Sequence, residues 1–133
     1  MTIPKEQIKS LLTIHFGEGV PDKLEIHLVY RLESDRYYFL VFFEDSHSKR
    51  NQLVILEGEP LIITQNAETR LAPSLPKPLV EGSESRLVWK SSVISRSPYY
   101  PFWEIRNRDD VYYIDSNNQV YRNMESKWTG DRY

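Results

Sequence analysis

The sequence predicts an α+β fold, with one N-terminal helix packed on a twisted, mostly antiparallel sheet of seven or eight strands. Three observations predict it. The first sixteen residues carry apolar side chains at helical spacing and stop at a glycine. Two longer runs, KLEIHLVYRLE and YYFLVFFE, are separated only by Ser34, Asp35 and Arg36 and read as a hairpin. The rest of the chain offers short apolar runs between tight polar turns, with no second helical stripe.

The elements follow in order. Thr2 is a candidate helix cap, and Pro4 is tolerated in a first turn. Ile8, Leu11, Leu12 and His15 recur at helical spacing, with Ile14 and Phe16 widening the stripe. Gly17 fits a C-terminal stop. In the first strand Leu24, Ile26, Leu28, Tyr30 and Leu32 alternate with Glu25, His27, Val29, Arg31 and Glu33, which gives one apolar and one mostly polar face. Tyr37 to Phe43 is apolar or aromatic on both faces, so that strand belongs inside the sheet with a cover on each side. The helix supplies one cover, expected on the face of Leu24, Ile26, Leu28 and Tyr30. Gln52–Leu56 and Leu61–Thr64 add two strands, for four antiparallel neighbours with short links.

Residues 66–85 hold Pro73, Pro76 and Pro78 among Ser and Gly, and read as a long loop within a single domain of residues 1–123. Arg86–Ile94 reads as a fifth strand. Phe102–Arg106, Val111–Asp115 and Val120–Arg122 form a meander around turns at 107–110 and 116–119, whose Asn and Asp residues tolerate left-handed backbone. Residues 124–133 show no periodicity and read as an extended or mobile tail. The order of elements is in the manner of cystatin-like or NTF2-like folds.

Composition narrows the chemistry. There is no cysteine, which removes disulfides, thiolate metal sites and thiol nucleophiles together. The opening MTIPKEQIKS is charged and precedes no long apolar run, so neither a signal peptide nor a membrane span is expected, and the reading is cytoplasmic. The formal net charge of −2 argues against binding dominated by phosphate electrostatics. Residues 1–85 hold 9 basic and 13 acidic side chains, whereas residues 86–133 hold 8 and 6.

His15, His27 and His47 form no pair at metal-ligand spacing, and no cofactor or metal is expected. Glu25 and His27 are neighbours on one strand face, where a carboxylate can orient an imidazole for acid–base work. A solvated strand face is the preferred reading of the two, and no nucleophile completes the pair. The serines lack a nucleophile elbow, and the glycines make no phosphate loop. Of 17 aromatic residues, 9 fall in residues 99–133, interleaved with arginines. Tyr99, Tyr100, Trp103, Arg106, Arg108, Tyr113 and Arg122 are therefore the candidate interface, because Trp, Tyr and Arg are enriched at binding hot spots. The competing readings are a ring-filled core and stacking on unpaired bases.

Two local resemblances accompany these residues. Trp103–Tyr121, WEIRNRDDVYYIDSNNQVY, resembles the start of a WW domain, which implies binding or folding roles for Trp103, Tyr112 and Tyr113 toward a proline-rich ligand. The first loop here is about two residues short of that pattern and lacks its glycine, and no closing proline follows. Leu24 to about Glu68 is similar in element order to the fdxN-element excision controlling factors, which also begin with an amphipathic helix. Neither likeness carries an activity over. The expectation is a small non-enzymatic module that binds another protein, which includes a second copy of this chain. The alternatives are a ligand or enzymatic pocket between helix and sheet, and single-stranded nucleic-acid binding by the Arg- and Tyr-rich second half.

Overall fold

The computed structural model describes residues 2–70, 75–78 and 82–124. One N-terminal helix packs against an eight-stranded, mostly antiparallel sheet of strand order β4-β3-β2-β1-β5-β6-β7-β8. The helix is α1 (Lys5–Phe16), and the strands are β1 (Glu25–Arg31), β2 (Tyr37–Glu44), β3 (Asn51–Glu57), β4 (Ile62–Thr69), β5 (Glu84–Trp89), β6 (Phe102–Asn107), β7 (Asp110–Ile114) and β8 (Val120–Tyr121). Residues group into two compact units, Met1–Leu28 with Tyr37–Pro73, and Val29–Arg36 with Ser74–Tyr133.

In the first unit α1 turns its Ile8 and Leu12, both fully buried, toward Phe39, Val41 and Phe43 of β2 and Val54 and Leu56 of β3. These residues share a face because the β2–β3 register sets Phe39 opposite Leu56 and Val41 opposite Val54. Leu11, Phe16, Leu24, Ile26 and Leu28 pack around that core as expected, and Phe16 meets Phe43 edge-on with ring centres 5.3 Å apart. Tyr30 does not belong to this cluster; it lies in the second unit. The whole of Tyr38–Phe43 is buried, so the second hairpin strand is covered on both faces.

Three helix expectations need correction. Pro4, not Thr2, occupies the N-cap position, and no side chain caps the helix. The Ile8 N–H instead donates to the Pro4 carbonyl at 3.0 Å. Ile14 is 83% exposed and His15 also faces solvent. Two residues past Leu12 is about 200° around a helix, which carries Ile14 away from the buried stripe. Gly17 closes the helix with φ at +81°, a conformation that favours glycine.

Strand ends differ from the sequence reading. β4 runs on through Asn66–Thr69, the first part of the expected loop, because pairing with β3 (Val54 opposite Asn66, Asn51 opposite Thr69) carries a polar segment that alternation alone does not reveal. Of the remaining loop, residues 71–74 and 79–81 lie outside the described residues, as does the tail from 125 onward.

In the second unit β5 pairs in parallel with the end of β1 (Tyr30 opposite Val88, Arg31 opposite Trp89), and β5 to β8 are antiparallel. β5 stops at Trp89 instead of Ile94. There the Ser92 N–H donates to the Ser95 carbonyl at 3.0 Å and the Ser92 hydroxyl accepts from the Ile94 N–H at 3.3 Å, so a serine turn replaces the ladder. The meander is as expected, with Arg108 and Asn118 in left-handed backbone at its two turns.

Candidate functional site

The site is built on the central strands of the second unit. Alternation along β6 puts Phe102, Glu104 and Arg106 on one face and Trp103, Ile105 and Asn107 on the other. The ladders set Glu104 opposite Arg86 on one side and Tyr113 on the other, with Arg106 opposite Glu84. Cross-strand partners share a face, so Glu84, Arg86, Glu104, Arg106 and Tyr113 are neighbours.

Glu104 is only 3% exposed. A carboxylate can be buried there because charged donors meet it. Arg86 Nε donates to its Oε1 at 2.9 Å, and Arg106 Nε donates to the same oxygen at 3.4 Å. Arg86 also lies over the Tyr30 ring, 5.2 Å from its centre, a cation–π contact that adds to its hold. The Arg86 and Arg106 side chains remain 44% and 57% exposed. Glu84, Ser85, Arg86, Glu104 and Arg106 line an open depression of about 360 Å³. Across the ladder from Glu104, Tyr113 is half-buried and sets its ring edge-on to Phe102 with centres 5.8 Å apart. Burial raises the Tyr113 phenol above its ordinary value, and the charge of Glu104 raises it further, so it stays a neutral hydroxyl at physiological pH.

The seven sequence-predicted residues do not gather into one patch. Arg106 and Tyr113 belong to the face just described. Trp103 lies on the opposite face, where its Nε1 is buried without a hydrogen-bond partner among the described residues. Arg122 binds Asp110 Oδ1 and lies over Tyr112, 5.7 Å from the ring centre. Arg108 sits in the β6–β7 turn. Tyr99 and Tyr100 occupy the loop before β6, with Tyr99 half-buried, its phenol raised by burial, and Tyr100 54% exposed. Of these aromatic residues Tyr100 is exposed, and Tyr99, Trp103, Tyr112, Tyr113 and Tyr121 are partly buried.

Sequence reasoning missed Arg86, Glu104 and Tyr30. The signal for Glu104 was present: a lone carboxylate inside the apolar run FWEIR calls for a charged partner on a neighbouring strand. Its partners were not readable, because they depend on the β5–β6 register.

The Glu25–His27 pair is formed, with His27 Nε2 2.7 Å from Glu25 Oε2 and the His27 ring 5.4 Å from that of Phe42. Among the described residues no group of three His, Asp or Glu side chains could hold a metal ion, and no helix is long and apolar enough to cross a membrane.

No family model, no curated protein and no solved structure matches this chain. The likeness to cystatin-like or NTF2-like folds therefore has no structural neighbour behind it.

Proposed function

We propose that the chain is a cytoplasmic, non-enzymatic module that binds another protein through the β5–β6–β7 face bearing Arg86, Arg106 and Tyr113. One observation carries the reading: two guanidinium groups are held by a buried carboxylate at an open depression, and a half-buried tyrosine is that carboxylate's cross-strand partner. Side chains that are ordered before binding lose little entropy on association, and Arg and Tyr so held are typical interface anchors. The space between α1 and its sheet is filled by Ile8, Leu12, Phe39, Val41 and Phe43, which leaves the helix–sheet layer as core.

The experiment is a pull-down from the native organism with the wild type and an Arg106→Ala/Tyr113→Ala double variant, each checked for its fold by circular dichroism. A partner retained by the wild type and lost by the variant is expected. An identical set of captured proteins would place the interface elsewhere.

A further inference from the structure

We infer that the depression beside Glu104 is a carboxylate-binding subsite that takes one isolated acidic side chain of a partner protein across Arg86 and Arg106. The inference rests on the protein-binding reading above and gives that partner its chemistry. Both guanidinium groups are anchored through Nε on the same Glu104 oxygen, at 2.9 and 3.4 Å, and Arg86 lies over the Tyr30 ring. Anchoring through Nε directs the outer edges of the two forks toward solvent, in keeping with side chains that stay 44% and 57% exposed. A carboxylate is the planar, two-oxygen acceptor that such edges match.

Charge selects the class of anion. Glu84 and Glu104 balance Arg86 and Arg106 within the depression, and the chain as a whole carries −2. A phosphate backbone needs an excess of positive charge along its track. One carboxylate needs only two donors facing it. Glu104 acts as a positioning residue: it touches no ligand and sets the spacing of the two forks.

The test follows the Arg86 and Arg106 Nε–Hε signals of the full chain by NMR. The titrants are a capped alanine peptide carrying one glutamate, the same peptide with glutamine, inorganic phosphate and a short oligothymidylate. Saturable shifts of both signals with the glutamate peptide alone are expected. Arg106→Lys keeps the charge and loses the fork, and should abolish the saturable shift of Arg86. Glu104→Gln removes the balancing charge, and should tighten glutamate binding several-fold and admit phosphate. Should Glu104→Gln fail to fold, Arg106→Lys and the peptide pair carry the test. Equal shifts with glutamate and glutamine, or tighter binding of phosphate or oligothymidylate by the wild type, overturn the inference. If the pull-down still loses its partner with Arg106→Ala/Tyr113→Ala, only the carboxylate chemistry is rejected; if it does not, the binding face fails as well.

Discussion

At the residue scale, two buried carboxylates do different jobs. Asp45 is 8% exposed and fixes the β2–β3 loop. Its Oδ1 accepts the N–H groups of His47 at 2.9 Å and Ser48 at 3.0 Å. The Ser48 and His47 backbone donors hold the Asp45 carboxyl below its ordinary value. A depressed folded-state pKa contributes stability that is present above the unfolded pKa and is lost as pH falls through the folded one. The gap in urea midpoint between wild type and Asp45→Ala should therefore be wide at neutral pH and narrow at strongly acid pH; a gap that ignores pH would contradict the assignment. Gly19 serves the same contact. A Cβ there would stand 2.2 Å from Asp45 Oδ1, so Gly19→Ala must displace the carboxylate and should cost about 1–3 kcal/mol in thermal or urea unfolding. Glu104 is different, because burying a charge offsets much of what its ion pairs contribute. Glu104→Met should leave stability within about 1 kcal/mol of wild type, whereas Arg86→Ala, which strips a donor from a buried carboxylate, should cost about 1–3 kcal/mol. A Glu104→Met variant more damaged than Arg86→Ala would make this cluster a stability device and not a binding one.

At the scale of elements, α1 shows what a stripe is worth. The helix is 12 residues long and has no side-chain cap, so packing and not local propensity must hold it. Leu12→Ala should destabilise the chain by about 2–5 kcal/mol. Ile14→Thr, on the exposed side, should stay within about 0.5 kcal/mol. Comparable urea midpoints for the two variants would refute the observed docking. The same contrast explains which strand ends were legible. β1 and β2 could be read because their apolar side chains alternate or run together. The polar half of β4 and the early stop of β5 could not, since the first depends on a partner's register and the second on a serine turn.

For the whole molecule, the open question is how the two compact units unfold. β1 runs through both, with Glu25–Leu28 in one and Val29–Arg31 in the other. The expected outcome is a single cooperative transition. Trp89 and Trp103, the tryptophans among the described residues, belong to the second unit, and α1 belongs to the first. Urea transitions followed by tryptophan fluorescence and by the far-ultraviolet helix signal should therefore coincide. Separated midpoints would make the units independent domains.

The sequence by itself determined the fold class, the helix, the first hairpin and the meander, because periodicity and turn chemistry are local. It also determined that arginine and aromatic side chains crowd the second half. Only the tertiary structure decided which of them meet. A strand sends successive side chains to opposite faces, and which strand lies beside it is a long-range fact. The parallel pairing of β5 with β1, and the antiparallel pairing of β5 with β6, brought Tyr30, Arg86 and Arg106 around Glu104, while Trp103 turned to the other face. A one-residue slip in that register would exchange the two faces.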